Sequence, residues 1–179
     1  MAEQTATPSE QLTHARAREI FLRAYELLNE HDTAHIPTIF TENVVFEDDA
    51  APETVRGHEG MKRFLSDVWT AFPDFRLELA RGPYLAEDGG VSAQVRMTGT
   101  MNGPLNPPGF APSGRKVSLE LGGFYEFDGD RIRAARIIIN MQDAAVQLGA
   151  LPPPGSPGEK VAVAVQRLQA RFQRRRAGG

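Results

Sequence analysis

The sequence contains no cysteine. That excludes disulfides, thiolate nucleophiles, iron–sulfur clusters and Cys-type zinc sites together. No run approaches the roughly 18 consecutive apolar residues of a membrane-spanning helix, so no membrane partner is expected. The four histidines, His14, His31, His35 and His58, offer no metal-ligand spacing. His31 and His35 are four apart, but Asp32 reads as a helix start and leaves His31 outside the helix. No Gly-x-Ser-x-Gly, P-loop or Gly-x-Gly-x-x-Gly appears, so nucleotide, flavin and serine-hydrolase chemistry have no support and no cofactor or metal is expected. The opening MAEQTATPSE lacks a basic stretch followed by an apolar one. No secretion signal is therefore expected, and the expected location is cytoplasmic.

What is present describes a soluble globular chain of 179 residues, 41% hydrophobic and 24% charged, with a net charge of −3. An overall acidic balance disfavours nucleic acid as a partner, because phosphate neutralisation needs a basic surface. The charge is uneven. Residues 1–150 carry 14 basic and 22 acidic side chains, a net −8, whereas residues 151–179 carry six basic and one acidic, a net +5. The Pro/Gly run Leu151-Pro-Pro-Pro-Gly-Ser-Pro-Gly158 sits at the change. It divides a domain over 1–150 from a linker and basic helix over 151–179.

Helical periodicity comes first along the chain. Thr7, Pro8 and Glu10 suggest a capped start to a first helix whose buried face holds Ala17, Ile20, Ala24, Leu27 and Leu28. On that spacing Tyr25 falls on another face. Asp32 caps a short second helix through Ile36 and Ile39. Val44–Phe46 is a short strand leading into Glu47-Asp48-Asp49. Met61, Phe64, Leu65, Val68, Trp69 and Phe72 mark a third helix that ends at Pro73. Strict alternation then gives strands around Phe75–Leu79, Val91–Met97 and Val117–Phe127, a hairpin at Asp128-Gly129-Asp130, and a last strand from Arg131 to about Met141. The Pro-rich stretch Gly103–Gly114 reads as a loop overhanging a site. Val161, Val165, Leu168 and Phe172 form one stripe on a final helix with Arg171, Arg174, Arg175 and Arg176 at its end. That helix could pack on the body or a partner subunit, lie on an anionic surface, or fray. Helices followed by a meander of strands imply α+β: a cone-shaped, curved, mainly antiparallel sheet wrapped by three N-terminal helices around an apolar pocket.

Several stretches in order carry a family likeness. They are Leu28-Asn29-Glu30-His31-Asp32, Asn43 to Gly57 with Phe46-Glu47-Asp48, Ala71-Phe-Pro-Asp-Phe75, Thr98-Gly-Thr100, Ser113-Gly-Arg115 and Gln147-Leu-Gly149. Over residues 14–149 the chain resembles the nuclear transport factor 2-like superfamily, and within it the SnoaL-type polyketide cyclases and ketosteroid isomerase. The resemblance implies a cone-shaped α+β fold with an apolar cavity, frequently a homodimer. It places Asp48 at a general-base position. The positions where relatives carry other polar groups read Gly123, Ala24, Ala135-Arg136-Ile137, Asn140 and Met101 here.

Asp48 shares strand parity with Val44 and Phe46, so its carboxyl should point to the apolar side, where poor hydration favours the protonated form. Alternatively Asp48 or Asp49 caps the following turn. Tyr125 shares parity with Leu119, Leu121 and Gly123 and could donate a hydrogen bond to a ligand oxygen, or be plain core. Asp48 and Tyr125 are the candidate catalytic residues. Phe46, Trp69, Tyr84, Met101, Phe110, Leu121, Ile137 and Ile139 are the candidate substrate-binding residues. Arg136 and Asn140 fall on the opposite face, and His58 reads as a helix cap or a residue at the mouth. The expected function is a cofactor-independent cyclase or isomerase acting on a hydrophobic, oxygenated natural-product intermediate. Two alternatives stand beside it: a non-catalytic binding or dimerisation module, and an epoxide-opening hydrolase or cyclase, which needs a second acid and an arginine that parity does not place.

Overall fold

The structure is a computed structural model that describes residues 12–106 and 109–177, with side chains described through residue 170. Helix α1 spans His14–Leu28, a 3-10 turn Thr33–His35 leads into α2 at Ile36–Ile39, and β1 spans Phe40–Asp48. Then come β2 (Val55–Arg56), α3 (Gly57–Ala71), β3 (Arg76–Leu85), β4 (Val91–Thr100), β5 (Lys116–Asp128), β6 (Arg131–Ile139), α4 (Met141–Leu148) and α5 (Pro157–Ala177). The expected Thr7–Glu10 start lies outside the described residues. Within them, Thr13 is the N-cap of α1, its hydroxyl accepting from the Arg16 N–H at 3.2 Å.

The six strands form one open mixed sheet in the order β2-β1-β6-β5-β4-β3. Only β1 and β6 run parallel. α1 and α3 cover the concave face. Their buried side chains, among them Phe21, Leu28, Met61 and Leu65, meet Val91, Ala93, Val95, Ala135 and Ile137 of the sheet. The apolar face of α1 is wider than a single stripe. Phe21, Tyr25 and Leu28 lie on it at i, i+4 and i+7, and Tyr25 is buried rather than turned to another face.

Two side-chain amides close strand edges. Asn29, just past α1, accepts from the Leu77 N–H at 2.7 Å and donates to the Leu77 carbonyl at 3.0 Å, pairing with the free edge of β3. Gln147 of α4 does the same to Ser118, beyond the point where β6 stops alongside β5. Each amide supplies one donor and one acceptor, as a neighbouring strand would. Residues of both family-like stretches therefore have a physical task in the sheet.

The last strand ends at Ile139, two residues earlier than the alternation suggests. The Asn140 carbonyl oxygen Oδ1 caps α4 by accepting from the Asp143 N–H at 3.1 Å, and Gly149 ends that helix at φ 86°. Met141 is consequently an exposed helix residue and not a member of the β6 face. The described residues of the loop after β4 do not line the hollow beside Asp48. Asn102 and Gly103 donate to the Ala71 carbonyl, and a Cβ at Gly103 would stand 1.9 Å from the Thr70 oxygen. The loop is thereby seated on the C-terminal end of α3.

Candidate functional site

Parallel pairing of β1 with β6 sets Asp48 opposite Ile137, and Ile137 lies opposite Gly123 on β5, which lies opposite Ala93 on β4. This row crosses the concave face. The next row is Phe46, Ala135, Tyr125 and Val91. Asp48 is half-buried at the end of β1. Burial pushes its carboxyl up from the ordinary carboxylate value to about 6, against the Ala50 N–H and the positive charge of Arg136 and with help from neighbouring Asp49. Oδ1 of Asp48 accepts from the Ala50 N–H at 2.8 Å. The two readings of this residue are therefore compatible: one oxygen closes the turn, and the group still sits in poor solvent.

Asp49 meets the opposite environment. Its carboxyl is held below the ordinary value by the Ile139 N–H at 3.0 Å and by the Arg136 guanidinium. Arg136 belongs to the outer face of β6, opposite Glu47 of β1, and its side chain reaches Asp49, two residues on, and the Ile137 carbonyl at 2.7 Å. A second acid and an arginine thus stand beside Asp48. Strand parity could not show this, because the contact follows from the β1–β6 register and from residues beyond the end of β1. The open hollow at this place has a volume of about 370 Å³ and is lined by Glu47, Asp48, Asp49, Ala51–Thr54 and Arg136. Its walls are polar.

The apolar interior behind Asp48 carries a second polar pair. The Tyr25 and Tyr125 hydroxyls are 3.3 Å apart and both rings are buried. Burial raises the Tyr25 phenol well above its ordinary value and takes Tyr125 to about 12, the latter also through the charge of Asp48. The pair is neutral at all ordinary pH. Two hydroxyls joined by one hydrogen bond use one of their two protons, so the pair keeps one donor in reserve. The Tyr125 ring folds back over Gly123: a Cβ at that glycine would stand 2.2 Å from the Tyr125 oxygen. Position 123 is empty of side chain so that the phenol can lie there, in the row shared with Asp48. Tyr25 was not legible as a site residue because the helix face was drawn too narrowly. The i, i+4 spacing from Phe21 was the available signal.

Of the other candidate residues, Phe46 packs 5.4 Å from Phe64, Ile137 is buried beside Asp48, and Leu121 and Ile139 are half-buried partners on adjacent strands. Met101 is fully buried beside the Ser113 hydroxyl, in the packed core at the start of the β4–β5 loop. Trp69 is buried, stacked on His31 at 5.1 Å, and its Nε1 has no hydrogen-bond partner. Tyr84 is not a wall of the interior. It pairs with Ser92 on the outer face of the sheet and is 55% exposed. Phe110 is exposed in the β4–β5 loop, bridged to Leu105, and does not enter the interior either. His58 neither caps α3 nor lines the hollow. Its Nε2 donates to the Phe40 carbonyl at 3.0 Å. No group of three or more potential metal ligands occurs among the described residues. No helix among them is long and apolar enough to cross a membrane.

Comparison with solved structures gives the same architecture. TsrD from Streptomyces laurentii superposes with a TM-score of 0.65 at 22% identity, over 78% of this chain and 99% of that one. A SnoaL-like polyketide cyclase from Agrobacterium tumefaciens gives 0.59 at 22%, over 74% and 98%. The epoxide hydrolase/cyclase-like enzyme SalBIII, which has a role in pyran ring formation in the polyether salinomycin, gives 0.59 at 21%, over 72% and 94%. No curated protein matches the chain. At this level of identity the likeness establishes the fold. The profile of the SnoaL-like polyketide cyclases, however, matches residues 18–148, and the chain belongs to that family.

Proposed function

We infer that the chain is a cofactor-independent acid/base catalyst that cyclises or isomerises a hydrophobic, oxygenated natural-product intermediate, with Asp48 moving the proton. The observation that carries this reading is the Asp48 carboxyl, raised to about 6 at the edge of the concave face while adjacent Asp49 stays ionised. A base with a pKa just below neutral is ionised at working pH and still basic enough to take a proton from carbon or a hydroxyl. The reserve proton of the Tyr25–Tyr125 pair supports a second role, donation to an oxygen that gains charge as the proton leaves. Substrate entry in this reading parts the ring contact between Phe21 and Tyr125, 4.8 Å apart. The exposed Tyr84, Phe124 and Ile138 on the outer sheet face support a homodimer.

The meeting of Asp48, Asp49 and Arg136 favours a second reading, the opening of an epoxide. There the protonated Asp48 gives its proton to the epoxide oxygen as a hydroxyl or water attacks carbon, and ionised Asp49 receives the attacker's proton. The two readings differ in the sign of the pH dependence. With Asp48 as base, turnover rises as pH climbs through about 6. With Asp48 as acid, it falls over the same interval. The test is a pH–rate profile on β,γ-unsaturated ketones, polyketide-type aldehydes and hydroxy-epoxides, with Asp48→Asn alongside. Turnover that survives Asp48→Asn unchanged removes both readings of Asp48, and binding of these compounds by the native chain without turnover leaves a binding module.

A further inference from the structure

Helix α5 is specified as a helix from its first residue. The Ser156 hydroxyl accepts from the Glu159 N–H at 3.2 Å, Glu159 reaches back to the Gly155 N–H at 2.6 Å, and Pro157 occupies the first position. Yet the described part of its apolar stripe is uncovered. Val161 is 63% exposed, Val165 48% and Leu168 53%. A helix rich in β-branched residues has little stability alone, and most helical stability comes from covering such a stripe. Among the described residues, nothing covers Val161, Val165 and Leu168.

The complementary surface lies on the body. A groove of about 660 Å³ runs between α1, α2 and the β5–β6 turn. Ile20, Leu22 and Ile39 give it apolar walls, and Leu22 is 45% exposed on the outside of α1. Glu19, Glu26 and Asp130 line it as well. Arg16 and Arg23, also in the groove, are already bonded to those acids. Charge complementarity agrees: the segment carrying α5 has a net +5 and the body a net −8.

Within its own chain the stripe stays exposed, so its cover is sought on another copy. α4 is fastened by Gln147 to Ser118, near the start of β5, whereas the groove lies by Asp130, past its other end. The intervening strand from Ser118 to Asp128 is about 33 Å long. Residues 149–156 span at most about 28 Å when fully extended. They are not extended, since Ala150 and Leu151 donate to the Ala145 carbonyl and Ser156 to Pro153. The start of α5 is therefore held away from the Asp130 end of the groove of its own chain.

We propose that α5 of one protomer docks its Val161/Val165/Leu168 stripe into the α1/α2 groove of a second copy of this chain. The absence of native cysteine makes a direct test available. Full-length Leu22→Cys and Leu168→Cys chains are mixed, oxidised with copper phenanthroline and run without reductant. The expected result is a cross-linked species of about twice 19.6 kDa, containing one chain of each kind and formed at least fivefold faster than with Glu87→Cys in place of Leu22→Cys. Both substituted positions are exposed, so folding is not at stake, and unchanged circular dichroism confirms it. Cross-linking no faster than the Glu87 control overturns the proposal. So does a Leu168–Leu168 product in place of the mixed one, which means helix-to-helix pairing. So does a link that forms only when both cysteines are in one chain, which means that the helix covers its own body.

Discussion

Two polar pairs sit on the same concave sheet and are treated in opposite ways. At the rim, Asp48 and Asp49 are chemically identical neighbours whose environments separate them: burial lifts one to about 6, and a backbone N–H and a guanidinium hold the other down. In the core, Tyr25 and Tyr125 are also alike, and burial raises both, so they act as one neutral unit. The rim pair can exchange protons at working pH, and the core pair can only lend a hydrogen bond. The same physical cause, loss of water, creates a reactive acid where the group's ordinary value is low and an inert donor where it is already high.

The comparison breaks most strongly at Asp48. Asp48→Asn is expected to lower turnover by about 10²–10⁴-fold, the usual worth of a positioned acid or base, in steady-state kinetics. The same substitution is expected to stabilise the protein at high pH. An acid whose folded value is about 6 and whose unfolded value is near 4 favours the folded state fully below about pH 4. That contribution is lost as pH rises to about 6 and stays lost above it. The stability gap between Asp48→Asn and the native chain should therefore open between those values and level off at roughly 2–3 kcal/mol, read by urea unfolding at pH 4 and pH 8.

The core pair offers the next largest effects. Gly123→Ala puts a methyl where the Tyr125 phenol lies, with ring atoms 2.4 Å away. A loss of about 1–3 kcal/mol is expected in thermal or urea unfolding, together with a change in near-ultraviolet tyrosine signal. Tyr125→Phe removes one hydrogen bond between buried hydroxyls and should cost about 1 kcal/mol with little change in fold. Smallest in energy, and most specific, are the two neighbours of Asp48. Arg136→Gln removes a positive charge and should move the Asp48 titration upward, whereas Asp49→Asn removes a negative one and should move it downward. Carbon-13 carboxyl NMR reads both directions. Equal directions for the two substitutions mean that direct charge is not what links the rim groups.

Much of the fold was legible because the signals were local. Alternation marked β4 and β5, the 3.6 period marked α3, and Asp48 followed from its parity with Val44 and Phe46. The parts that were not legible depend on contacts between distant segments. Arg136 belongs by parity to the outer face, and only the parallel β1–β6 pairing brings it to Asp49. Tyr84 could have been placed by parity, because it pairs with Ser92, which alternates with buried Val91 and Ala93. Two helix signals were present in the sequence and outweighed by others: Asn140 three residues before Asp143, and Ser156 three residues before Glu159. The run of apolar residues before Asn140 and the prolines before Ser156 drew those stretches into a strand and a linker. The packing of Tyr125 against Phe21, Phe127 and Gly123 depends on side-chain volume in three dimensions, which a pattern of faces does not measure.

The amide of Asn29 has a consequence for how copies of this protein can meet. Because it already occupies the hydrogen-bonding groups of Leu77 at the outermost long strand, a foreign strand cannot be recruited there without first displacing it. Growth by strand addition, the route to runaway fibres, is opposed at that point of the border, which favours association through faces and helices that can stop at a defined number of subunits.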